Sequence, residues 1–184
     1  MHLLEIYAST CGCLIDKCFI HEETIDLPPK QYITFHGFNP KGSCRQYKHW
    51  QVIIDWLKNN NFDYEIIQIG GINDIKYNNI NTSYLGKTNY NQLAFLIKHA
   101  SLHIGYDSLP IHLASMYDKK IIGVYAHWSS VTGPYFSSSE NTILFQPDNS
   151  IVKPFYGETD PNDKINTIDP LDIYNAINKL LGIK

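Results

Sequence analysis

Two stretches of the chain concentrate groups able to hold an anion. Residues 103–114 read His-Ile-Gly-Tyr-Asp-Ser-Leu-Pro-Ile-His-Leu-Ala. Ser108 stands where a helix beginning at Leu109 or Pro110 needs its N-cap, and Pro110 suits the first turn because it has no N–H to leave unsatisfied. The free amides and positive dipole end of such a helix favour a phosphate. His112 falls in the first turn and can donate to a phosphate oxygen. Asp107 repels phosphate and is expected on sugar hydroxyls or bracing loop amides. An ordinary capped helix with a satisfied histidine has the same spacing. Residues 41–50 read Lys-Gly-Ser-Cys-Arg-Gln-Tyr-Lys-His-Trp. Lys41, Arg45 and Lys48 gather positive charge ahead of a helix, where cations oppose the dipole, so a diphosphate lying there would account for them. A solvated helix start accounts for them as well. Ser43 is a further candidate cap or phosphate contact.

Two other stretches carry less information alone. In Leu85-Gly86-Lys87-Thr88 the glycine lets backbone approach a flat base, but the upstream glycines of a P-loop are missing. Residues 128–134, ending in Gly133-Pro134, suggest a mobile loop over a cleft. Cys11, Cys13, Cys18 and Cys44 lack the paired spacing of a zinc site and are read as reduced thiols, with a metal or disulfide clip through Cys44 as the lesser alternative.

The elements that would position these groups alternate in type. Residues 32–36, 64–69, 82–85, 102–106, 120–125 and 142–146 read as strands. Residues 45–59, 91–100, 110–117 and 169–181 read as helices, the last with Asp169 as N-cap and Pro170 at its first position. Such alternation predicts an α/β fold, a three-layer Rossmann-like parallel sheet with helices on both faces. Ligands in such sheets bind beyond the carboxyl ends of the strands, where strand order reverses. Those ends carry His36-Gly37, Gly70-Gly71, residues 105–108 and residues 126–134. Residues 1–30, with one short helix over 2–10 and Pro28-Pro29, are expected to form an N-terminal arm, and residues 31–184 the domain.

The chain has 184 residues, 43% of them hydrophobic, and a net charge of −3. It can bury one sizeable core, and it is expected to be too short for two full domains of this type. Its acidic balance argues against nucleic acid as a partner. The absence of an apolar run near the roughly 20 residues needed to span a bilayer argues against an integral membrane segment. A cytoplasmic protein is the expectation, since the start lacks the pattern of a signal peptide.

Together the motifs resemble the C-terminal, donor-binding domain of the ADP-heptose:lipopolysaccharide heptosyltransferase family. Asp107-Ser108-Leu109-Pro110-Ile111-His112-Leu113-Ala114 is similar to its Asp-Ser/Thr-Gly-x-x-His-Leu-Ala motif, and Lys48-His49-Trp50 to its Lys-x-Trp. Tyr84 to Thr88 resembles its Leu-x-Gly-Lys-Thr, with the leucine displaced by one position. The loop ending at Gly133-Pro134 follows in the same order. The resemblance implies one half of a GT-B glycosyltransferase that binds a nucleoside-diphosphate sugar such as ADP-heptose without a metal. It implies that Ser43 and Lys48 contact donor phosphates or sugar, that Asp107, Ser108, Leu109 and His112 line the donor pocket, and that backbone near Gly86 faces the base. Two departures stand out. Leu109 replaces a family glycine, and the domain carrying the acceptor site and the aspartate base has no counterpart in the sequence. A homo-oligomer or a partner chain supplying that domain is therefore expected, with a non-catalytic nucleotide-sugar-binding module as the alternative.

Overall fold

The computed structural model describes residues 1–37, 43–148 and 164–183, with Ser43 placed by its backbone alone. Six strands form one all-parallel sheet: β1 (Tyr32–His36), β2 (Glu65–Gln68), β3 (Thr82–Ser83), β4 (Leu102–Tyr106), β5 (Ile121–Val124) and β6 (Thr142–Phe145). Their order is β3-β2-β1-β4-β5-β6, so the sheet grows outward from β1 in one direction and from β4 in the other. The point of reversal lies between β1 and β4, where Ile33 pairs with Leu102 and His36 with Gly105.

Strand alternation builds a core on each face, as expected of a parallel sheet covered on both sides. Ile33, Phe35, Ile66, Leu102, Ile104, Ile122 and Val124 pack under α2 (Trp50–Asn59) and α6 (Pro170–Leu181). Tyr32, Ile67 and Ile121 pack under α3 (Tyr90–His99) and α4 (Leu109–Met116). Helix α2 does this with Trp50, Ile53, Ile54 and Leu57, the spacing of one helical stripe. Helix α6 is set by its ends: the Asp169 carboxylate accepts from the Leu171 amide at 2.9 Å, and Gly182 closes it in the left-handed conformation.

The helix expected over 45–59 is broken. Ser43–Arg45 form a 3-10 turn, and α2 begins only at Trp50. Asn166, more than a hundred residues away, is the reason: its side chain takes the Lys48 amide at 2.6 Å and donates to the Gln46 carbonyl at 3.1 Å. Those groups are thereby drawn from a continuous helix into a long-range contact. Residues 128–134, expected as a mobile loop, contain a single helical turn, α5 (Ser129–Thr132), and are tied at both ends. The Ser129 amide donates to Gln146 Oε1 at 2.8 Å, and the Gly133 carbonyl meets His2 Nε2 at 2.9 Å.

In the arm, helix α1 (Leu3–Cys11) is closed by a capping box between His2 and Glu5. The extended residues after it lie across the face of α3 and α4. Glu22 binds Lys98 and the Tyr117 hydroxyl, Glu23 binds the side chains of Asn89 and Gln92, and Ile20 and Leu27 pack on the core beneath. Cys11, Cys13 and Cys18 are exposed, Cys44 is buried, and none of the four is joined in a disulfide. Among the described residues no helix is long and apolar enough to cross a membrane.

Candidate functional site

At the point of reversal, chain segments from four strand ends enclose a cavity of about 510 Å³. His36 closes β1, Gly70 and Gly71 follow β2, Gly86 follows β3, and Ser108, Leu109 and Pro110 lead from β4 into α4. Thr88, Asn89, Tyr90 and Leu93, at the start of α3, complete the wall.

Each wall has a local cause. Gly86 has φ +64, and a Cβ there would come within 2.7 Å of Ile72 Cβ, so only glycine fits. Its amide donates to the Gly70 carbonyl at 2.9 Å, which ties the two glycine turns together. Asn89 caps α3 through a capping box with Gln92. Ser108 occupies the N-cap position of α4 in extended conformation, with Pro110 in the first turn as expected. Its hydroxyl does not cap the helix. It donates instead to the Tyr106 carbonyl at 3.1 Å and lies 3.1 Å from His36 Nδ1. The first turn of α4 therefore faces the cavity without a serine oxygen across it, with Pro110 carrying no N–H and the Ile111 amide donating to the Ser108 carbonyl at 3.2 Å.

His36 and Asp74 are the part that the motifs did not reveal. His36 Nε2 lies 3.2 Å from Asp74 Oδ2, and both side chains are nearly buried. The same carboxylate accepts the Gly71 amide at 2.9 Å. His36 was legible only as the residue ending β1 at the reversal. Asp74 had no signal beyond following the double glycine by three positions.

The two stretches read above as candidates for holding an anion meet through Arg45. Arg45 Nη1 donates to the Asp107 carbonyl at 2.9 Å, and Nη2 lies 3.3 Å from Asp107 Oδ2. Burial pushes the Asp107 carboxyl above its ordinary range, and Arg45, then His112 and His127, pull it back. Asp107 thus braces a cation as well as its own loop. Arg45→Ala removes the partner of a poorly solvated carboxylate and is expected to cost about 1–3 kcal/mol, read as a shift in urea midpoint at neutral pH. Part of that cost should disappear below the carboxylate range, where Asp107 takes up a proton. An unchanged midpoint would show that solvent replaces Arg45 at no cost.

Of the residues expected at the site, Gly86, Ser108 and Leu109 share the cavity, with Asp107 directly before Ser108. Leu109 is 46% exposed and lines the cavity at the position where the resemblance implies glycine. His112 lines a second cavity of about 350 Å³ with His2, Tyr7, Ser115 and Tyr135. Burial lowers its pKa, against the opposing pull of Asp107. Lys48 is exposed beside Asn166. Ser43 opens the 3-10 turn, and Lys41 lies outside the described residues.

Comparison with known proteins agrees with this architecture. Residues 42–155 match the family described as glycosyltransferase family 9 (heptosyltransferase). Lipopolysaccharide heptosyltransferase 3 of Escherichia coli strain K12 is 35% identical over 101 residues, 54% of this chain and 29% of that protein. The structure of E. coli ADP-heptose lps heptosyltransferase II superposes with a TM-score of 0.63 at 14% identity, over 96% of this chain and 50% of the other. E. coli heptosyltransferase WaaC with ADP gives a TM-score of 0.62 at 14% identity, over 96% of this chain and 54% of that one. The chain thus spans about half the length of these solved structures, and the matched stretch less than a third of the curated relative. With an all-parallel sheet of this order, a cavity at its reversal and a family match over most of the domain, the chain belongs to glycosyltransferase family 9, the heptosyltransferase family.

Proposed function

We propose that this chain is the donor-binding half of a glycosyltransferase and holds a nucleoside-diphosphate sugar, ADP-heptose in the first instance, for transfer to an acceptor hydroxyl. The observation that carries this reading is the cavity at the strand reversal, with the open first turn of α4 on one wall and Gly86 on another. A diphosphate on that helix end and a base against the Gly86 turn fill it. WaaC, named above with ADP, has the same fold and supports the choice of nucleotide.

In the proposed reaction the acceptor oxygen forms a bond to the anomeric carbon as the bond from that carbon to the terminal phosphate oxygen breaks. The nucleoside diphosphate leaves as an anion, and the acceptor proton passes to a base that this chain is not assigned to supply. The helix amides and Ser108 stabilise the developing phosphate charge, which is where such a site does most of its work. The family motifs add Lys48 and His112, which stand on the exposed turn beside Asn166 and on the neighbouring cavity respectively. This chemistry asks for no metal. The acceptor surface is supplied by a partner chain, a second copy in an oligomer or a further segment of the same protein. Three exposed free thiols suit a cytoplasmic setting.

Thermal shift with ADP, UDP and GDP tests the binding, and a product assay with ADP-heptose tests the transfer. ADP is expected to raise the melting temperature most. Lys48→Ala and His112→Ala are each expected to weaken ADP about 5- to 30-fold while melting as the native chain does. Loss of cooperative melting in either variant would assign that residue to the fold instead. Binding without product, alone or with a second chain, would leave a nucleotide-sugar-binding module. No stabilisation by any of the three nucleotides would overturn the reading.

A further inference from the structure

We propose that His36 is a positioning residue for the diphosphate: clamped on both ring nitrogens, it holds the Ser108 hydroxyl at the cavity and brings a positive charge to it. This rests on the donor-binding reading above.

The protons available around the ring fix its charge. Ser108 has one hydroxyl proton, and the Tyr106 carbonyl 3.1 Å away can only accept it. With that proton committed, His36 Nδ1 must be the donor in its 3.1 Å contact with Ser108 Oγ. On the other side of the ring, Asp74 Oδ2 faces Nε2 at 3.2 Å while accepting from the Gly71 amide. With the Gly71 amide as one donor, that carboxylate oxygen has room to accept a second from Nε2. A neutral imidazole has one N–H and satisfies one of these contacts, whereas an imidazolium satisfies both.

The other groups around the ring are compatible with that charge. Tyr106 packs against it at 4.7 Å between centroids, with its hydroxyl 3.5 Å from Nε2, and burial holds that phenol protonated. The Tyr77 hydroxyl donates to the Gly37 carbonyl next to the ring. His103 lies on the adjoining strand and stays neutral, pushed down to about 3 by burial. When a diphosphate enters, the Ser108 hydroxyl can turn from the Tyr106 carbonyl to a phosphate oxygen while still accepting from His36. An N–H donated into a hydroxyl oxygen makes that hydroxyl a better donor.

The test is calorimetric titration of the full chain with ADP, and with adenosine as a control lacking phosphate, between about pH 5 and about pH 8, where histidines exchange charge. ADP gains charge over the same interval, so the measured quantity is the ratio of native to His36→Gln affinity. That ratio is expected to be about tenfold in favour of the native chain at the acid end and close to one at the alkaline end, with no such trend for adenosine. His36→Gln and Ser108→Ala together should lose little more than Ser108→Ala alone, because one acts through the other. Asp74→Asn should move the trend to lower pH, and it decides the matter if His36→Gln does not melt cooperatively. A ratio independent of pH, or fully additive losses in the double variant, overturns the proposal while leaving donor binding intact. Failure of ADP to bind at any pH overturns both.

Discussion

Acidifying the protein from about pH 7 to about pH 4.5 is expected to remove about 2–3 kcal/mol of folding stability through His103 alone. The ring is fully buried on β4, with Nδ1 3.0 Å from the Thr34 hydroxyl and no hydrogen-bond partner for Nε2 among the described residues. A proton on Nδ1 leaves a bare lone pair at Nε2, a smaller loss than a stranded N–H. Burial therefore pushes the group down to about 3, well below the unfolded chain's value. Below about pH 6.5 the unfolded chain binds a proton that the native chain refuses, so stability falls by about 1.4 kcal/mol per pH unit until the native pKa is reached. His112, also lowered by burial, acts in the same direction. Asp107, raised by burial, acts in the opposite one, because its native form accepts a proton sooner. Urea midpoints at the two pH values measure the sum, and His103→Gln should flatten most of the difference. An equal loss in that variant would place the acid sensitivity elsewhere.

Gly70→Ala is expected to damage the fold and the cavity together. Gly70 has φ +148, a conformation that L side chains rarely adopt, and an added Cβ would collide with the Asp74 carboxylate. The strain alone should cost about 1–3 kcal/mol. Moving Asp74 also releases the Gly71 amide and one side of His36. ADP affinity should fall by about 30-fold or more, since two cavity walls shift at once. Gly182→Ala is the control: its φ is +72, but a Cβ there meets nothing within 4 Å. It should lose stability and keep ADP affinity. Native-like ADP binding by Gly70→Ala would separate the Asp74 clamp from the nucleotide site.

What could be read in advance followed how local the causes are. β1 was expected at the residues where it is found, because Tyr32, Ile33 and Phe35 bury both faces of one short run. Helix α6 was legible because Asp169, Pro170 and Gly182 each act within a few residues of it. The interruption before α2 was not, since it depends on Asn166 from the far end of the domain. Ser108 was correctly placed at the start of α4, but its hydroxyl serves His36 and Tyr106, which approach from other strands. Arg45 was read as a loose cation for a ligand, whereas it grips Asp107. The motifs put Gly86, Ser108, Leu109, His112 and Lys48 around one pocket; the cavity unites the first three, whereas His112 lines a neighbouring one and Lys48 is exposed beside Asn166. They did not identify the His36–Asp74 pair, because a histidine at a strand end and an aspartate in a turn become partners only through the sheet.

A structure of the chain soaked with ADP tests the central claim most directly. The two phosphates are expected against the first turn of α4, within hydrogen-bond reach of Ser108, and the adenine on the Gly86 turn. ADP lodged elsewhere, or absent from the strand reversal at saturating concentration, would contradict it.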